Sequence, residues 1–139
     1  MTLLSEGLPF YCALHGTNSR SVHSILREGL KPSIMLPGSS KQRQAVHFAA
    51  TMPSSSQEVR SGFKHGSSVI INADIAAYIE DGGQAYLSSN DVVNVFAIFP
   101  ADHFLHCFDA NTGHDYLKNR PLPKEELIRF LPLLGAKLA

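Results

Sequence analysis

Apolar positions along the 139-residue chain change their spacing several times, and each change marks an element. Residues 9–14 (PFYCAL) are an aromatic and aliphatic run of the kind a buried strand shows, and Gly16 closes it. Gly-Thr then turns the chain into a helix. Asn18 or Ser19 supplies the cap, Val22, Ile25, Leu26 and Leu30 share one face, and Gly29 sits near the C-terminal end. A Pro/Gly/Ser loop (SIMLPGSSKQRQ) leads to residues 45–50 (AVHFAA), which are short, apolar and strand-like, with His47 inside. Ser55 and Glu58 have capping-box spacing for a brief helix through Val59 and Phe63 that ends at Gly66.

In the second half, residues 68–73 (SVIINA) predict a β-branched strand, residues 74–83 are turn-rich, and residues 84–87 suit a short strand. The longest apolar run covers residues 92–99 (VVNVFAIF), and Pro100 ends it. A tail from about His106 holds a loop (DANTGHDY) and a last amphipathic helix over residues 124–134, entered past Pro121 and Pro123. Several short strands with few helices between them predict an α+β domain: two small packed β-sheets with flanking helices. Parallel winding fits less well, because the strands cluster towards the second half. The length fits a single domain over residues 1–139 that closes a core without disulfides or metal.

Charge narrows the functional classes. Lys plus Arg and Asp plus Glu number 12 each, so the dense basic charge of a duplex-coating protein is absent. A polyanionic partner has to be held by a local patch. Cys12 and Cys107 lie far apart with no pairing motif, which favours a reducing, cytoplasmic setting. The first residues (MTLLSEG) are too short and polar for a signal peptide, and no stretch nears the roughly 18 apolar residues of a spanning helix. A soluble monomer with no membrane partner is the expectation.

The 7 histidines raise the question of metal. They show no HExxH and no CxxC partner, and only His103 and His106, three apart, make a close pair; no metal site is expected. A Cys12–His15 dyad is disfavoured, since residues three apart on a strand face opposite ways. The GxSxG elbow, the Walker loop and GxGxxG are missing too. What remains is His15-Gly16-Thr17 ahead of a helix. Glycine lets a planar group approach the backbone, its N–H and C=O can pair with a carboxamide, and a helix N-terminus offers free N–H groups to a diphosphate. A turn with an incidental histidine is the competing reading of those three residues.

The order of segments adds weight. HGTNSRSVHSILREGLKP, RQAVHFAA, KHGSSVIINADIAAYIEDGGQAYLSSNDV and IFPADHF together resemble the catalytic lobe of the tRNA 2′-phosphotransferase (KptA-like) family, within the ADP-ribosyltransferase fold. The resemblance rests on His15-Gly16-Thr17, Glu28-Gly29-Leu30-Lys31-Pro32, Arg43 with Val46-His47-Phe48, and His65-Gly66 with Val69. It continues through Glu80-Asp81-Gly82, Tyr86-Leu87-Ser88, Asn90-Asp91-Val92, and Pro100 with Phe104. It covers residues 10–104 and leaves residues 105–139 as a C-terminal extension with the final helix.

The resemblance implies NAD as co-substrate and an RNA 2′-phosphate as acceptor, as in tRNA splicing. His15 would bind a ribose hydroxyl, Gly16 with Thr17 and Asn18 would clasp the nicotinamide end, and His47 would support it. Arg43, four residues before His47, would contact phosphate, with a solvated loop charge as the alternative. Arg43 and His47 are thus the catalytic candidates. Val92 takes the position that is glutamate in polymerising members of the fold, so chain-extending ADP-ribosylation is not expected. The chain also departs from the family: the N-terminal lobe with its phosphate-binding residues has no room in the fourteen residues before His15. Arg20, Lys41, Arg60 and Lys64 are partial substitutes at best. Ranked first is family-type phosphotransfer, second ADP-ribosyl transfer to another acceptor (a terminal phosphate, a small molecule or a protein), and third a non-catalytic module that binds NAD or ADP-ribose.

Overall fold

In the computed structural model, residues 1–5, 7–10, 12–32, 45–51 and 68–134 are described. The loop after residue 32, the helix expected from Ser55 to Gly66, and Arg43, Lys41, Arg60, Lys64 and His65 lie outside them.

The strands are β1 (Thr2–Leu3), β2 (Cys12–Thr17), β3 (Val46–Thr51), β4 (Val69–Ala73), β5 (Tyr86–Leu87), β6 (Val92–Val95), β7 (Phe104–Asp109), β8 (His114–Asp115) and β9 (Arg120–Pro121). The helices are α1 (Val22–Glu28), α2 (Ile75–Glu80) and α3 (Lys124–Leu134). The class is α+β, but the strands hydrogen-bond into one sheet, ordered β1-β5-β6-β3-β2-β4-β7-β8-β9, and not into the two expected. The reason is β2, which pairs on one edge with β3 and on the other with β4 and so joins the two halves. The described pairings are all antiparallel.

Pleat alternation divides the core between the two faces of this sheet. Ala13, Phe48, Val69, Ile71, Val93 and Val95 pack on one face with Val22 of α1, Ile75 and Tyr78 of α2, and Phe99. Cys12, Leu14, Ile70 and Phe108 face the other way, against Leu122 and Phe130 of the α3 region. Cys12 and His15 accordingly belong to opposite faces. Burial raises both thiols, Cys107 to about 12, so they behave as small apolar groups.

Four elements differ from expectation. Residues 15–17 extend β2 instead of turning, because β4 continues to pair with them as far as Thr17↔Val69. The stretch after Asp74 is helical: the Asp74 carboxylate accepts from the Ala77 N–H at 3.0 Å and starts α2. The long apolar run is a strand only to Val95. Phe96 and Ile98 turn outward, and Phe99 returns to bridge Leu30. The tail opens with a core strand, β7, paired along β4, so His106 sits in a sheet and not in a loop.

That Phe99 bridge explains the glycine after α1. Gly29 has φ of 84°, and a Cβ there would lie 2.6 Å from the Phe99 carbonyl oxygen, within a pair of Leu30–Phe99 backbone bonds of 2.9 Å each. Replacement by alanine meets both left-handed strain and a backbone clash. Gly29→Ala is expected to lower unfolding stability by about 2 kcal/mol or more in a urea titration. A variant as stable as the parent would contradict the assigned turn.

His106 supplies a pH-dependent term. Burial holds its imidazole below the ordinary 6.5, while the Glu126 and Asp115 carboxylates pull the other way and Arg129 and Lys118 add to the depression. Its Nδ1 lies 3.2 Å from Asn72 Nδ2, so the ring is held neutral, accepting at Nδ1. Protonation is therefore favoured in the unfolded chain. The stabilisation is complete above pH 6.5 and is lost as pH falls below that value towards the lowered folded one. His106→Gln is expected to flatten the fall in Tm between about pH 7 and 5. An unchanged pH slope would contradict it.

Candidate functional site

Strands β2 and β3 run as a regular ladder from Cys12↔Thr51 to Leu14↔Ala49 and then stop, although each continues on its far edge. The sheet forks there. Carried on by two residues, the register would set Gly16 opposite His47. The His47 carbonyl is taken instead by a side chain: His15 Nδ1 lies 2.8 Å from it. A carbonyl only accepts, so Nδ1 carries the proton, and in the neutral ring Nε2 is an acceptor.

The main chain at the fork follows from the same alternation. Ala50 N–H bonds the Asp91 carbonyl at 2.9 Å, on the β6 side. Ala49 and His47 therefore direct their peptide groups towards β2, and Leu14 and Gly16 direct theirs back. Gly16 is buried, with its N–H and C=O aimed into the gap where the ladder has lapsed.

The side chains distribute as follows. The His15 ring meets Phe48 edge-on at 5.8 Å, on the α1 face. His47, next to Phe48 in β3, is carried on the other side in a cross-strand row with Asn94 of β6 and Tyr86 of β5. Val92 shares that side, opposite Ala49, and is buried. So the fork brings the His15 ring to the His47 main chain and sets the two imidazoles on either side of β3. Asn18 caps the 3₁₀ turn Ser19–Ser21 that leads into the seven-residue α1, and its side chain accepts from the Ser21 hydroxyl at 3.3 Å. The helix is too short to add a strong dipole.

On the His15 side lies a cavity of about 370 Å³. Thr17, Ser21, Ser24, Glu28 and Lys31 give it polar walls and Ile25 an apolar one. Glu28 is held by two cations, Lys31 Nζ at 2.6 Å and Arg27 Nη2 at 3.0 Å, and these bonds pull its carboxyl below the usual range. One carboxylate shared by two cations leaves net positive charge at the rim. The sequence reading passed over Ser21, Ser24 and Lys31 as site residues. Their signal was present, since positions 21, 24 and 28 recur at helical spacing just after the histidine strand.

The family model for "RNA 2'-phosphotransferase, Tpt1 / KptA family" matches residues 2–95, from β1 to the end of β6. A probable RNA 2'-phosphotransferase of Agrobacterium fabrum is 35% identical over 101 residues, 73% of this chain and 48% of the relative. The chain thus spans about half the length of that curated relative, and β7 to α3 lie beyond the family match. With the family model covering more than half of it and a relative 35% identical over 73% of its residues, the chain belongs to the RNA 2'-phosphotransferase, Tpt1/KptA family.

Proposed function

We propose that this protein is an NAD-dependent RNA 2′-phosphotransferase whose dinucleotide lies at the β2–β3 fork. The observation that carries the proposal is the fixed His15 tautomer: a ring anchored through Nδ1 to the His47 carbonyl, with Nε2 the unprotonated nitrogen, in a residue that lines a polar cavity. A ribose hydroxyl is the donor that fits it.

The residues around the fork suit the rest of a dinucleotide. Gly16 aims a peptide N–H and C=O into the gap, the donor and acceptor pair that a carboxamide requires. The hydroxyls of Ser21 and Ser24 and the net positive rim at Lys31 and Arg27 suit a diphosphate. His47 reaches the far side of the same fork. When NAD is bound it supplies a ribose whose anomeric carbon takes the RNA 2′-phosphate oxygen as nicotinamide leaves, and whose neighbouring hydroxyl then attacks phosphorus to free the RNA 2′-oxygen.

Each side chain has a part in this scheme. His15 Nε2 holds the ribose hydroxyl and is placed to accept its proton when that oxygen attacks. Gly16 keeps the carboxamide, and with it the leaving group, in line. Arg43 is proposed as the phosphate-contacting cation. Val92 places buried hydrocarbon near the fork, so no carboxylate at that position orients a sugar hydroxyl as acceptor. That favours a phosphate acceptor, which carries its own nucleophilic charge. A cytoplasmic setting and monomeric state belong to this proposal too.

Incubation with NAD and an oligoribonucleotide bearing one internal 2′-phosphate is expected to release nicotinamide and leave a 2′-hydroxyl. His15→Gln is expected to lower kcat/KM by about 100-fold or more, as when a preorganised transition-state contact is removed. A stable ADP-ribosyl adduct would move the assignment to ADP-ribosyl transfer. Tight NAD binding with no product would leave a binding module.

A further inference from the structure

The row that carries His47 does not end at the fork. His47 pairs across with Asn94, and Asn94 with Tyr86, so Tyr86 lies two strands away on the same side, about 10 Å at ordinary strand spacing. Beside Tyr86 the chain leaves β6 and Phe96 turns outward. Its ring is 46% exposed and meets the Tyr86 ring edge-on at 5.7 Å. Its neighbours Val93, Val95 and Phe99 are fully buried, so Phe96 stands out at the end of β6 as an exposed ring paired with Tyr86.

These two rings border a second cavity, of about 510 Å³, distinct from the one at His15. Met1, Tyr78, Gly82, Gly83, Gln84 and Ala97 complete its walls. The glycines matter to its shape. Gly82 has φ of 94° and open space where a Cβ would stand, while Gly83 packs flat on the Tyr78 ring, where a Cβ would come within 2.4 Å. The wall is therefore bare backbone over which a planar group can slide. Gln84 adds an amide that both donates and accepts.

We infer that this cleft is a stacking subsite for an RNA nucleobase next to the nucleotide at the fork. The inference rests on the family-type reaction proposed above. Two features choose the ligand. Flat aromatic walls with one amide match a base, which offers a π-face and a polar edge. The charge balance points the same way: with Lys plus Arg equal to Asp plus Glu at 12 each, there is no general basic surface to hold RNA, which gives stacking a larger share of the affinity beside the local cations. Phe96 is then a specificity residue for unpaired RNA, where bases are free to stack.

The test uses a short single-stranded oligoribonucleotide without any 2′-phosphate, and NAD separately, as equilibrium ligands. Phe96→Ala, at an exposed position, is expected to keep the parent's Tm, weaken oligonucleotide binding about tenfold and leave NAD affinity unchanged. Phe96→Trp, in a chain with no tryptophan of its own, is expected to restore binding and to show fluorescence quenching as the oligonucleotide, but not NAD, is added. Equal oligonucleotide affinity in Phe96→Ala and parent overturns the proposal, as does a parent that binds no oligonucleotide. Loss of NAD affinity in Phe96→Ala would assign the cleft to the dinucleotide's adenine and overturn it as well. Because no turnover is read, a protein that fails to transfer phosphate yet binds RNA through Phe96 would sink the reaction and leave the subsite standing.

Discussion

One hydrogen bond governs the geometry described here: the imidazole of His15 against the main-chain carbonyl of His47, 2.8 Å apart, at the point where β2 and β3 stop pairing. It gives the His47 carbonyl a side-chain donor where the ladder to β2 has lapsed, and it does one thing that a backbone ladder bond could not. It fixes which ring nitrogen holds the proton, in a residue that lines the cavity.

Around that bond the protein divides its labour between two faces of a single sheet. One face carries α1, the His15 cavity and the positive rim. The other carries His47, Val92 and, further along the same row, Tyr86, which borders the aromatic cleft at the β5 side of the sheet together with Phe96 and, from α2, Tyr78. The proposed reaction between a dinucleotide and an RNA phosphate would need both partners to reach one carbon atom. A fork open between two edge-joined strands would let them approach from different sides, which a continuous ladder would forbid. The neutral overall charge sets a further constraint, since grip on the nucleic acid has to come from local contacts.

Much of this was legible in the residues. The last helix was placed from its periodicity at residues 124–134, where α3 lies, and the apolar runs at 45–50 and 68–73 correspond to β3 and β4. His15, Gly16 and His47, named by the resemblance, lie where β2 and β3 stop pairing, with the two imidazoles on opposite sides of β3. What stayed hidden depends on pairing partners distant in sequence. That residues 15–17 continue a strand is decided by β4, more than fifty residues later. That residues 96–99 leave the sheet is decided by Leu30. The joining of two expected sheets into one is decided by β2 having neighbours on both edges. Short helices such as α2, six residues long, carry too little periodicity to stand out from turns.

The most direct test is nitrogen NMR of the His15 ring in the parent protein at pH 8, with and without NAD. The account predicts a neutral ring protonated at Nδ1 alone, whose Nε2 resonance shifts on NAD binding while Nδ1 stays bonded to the His47 carbonyl. A ring protonated at Nε2, or one whose nitrogens do not respond to saturating NAD, would contradict it.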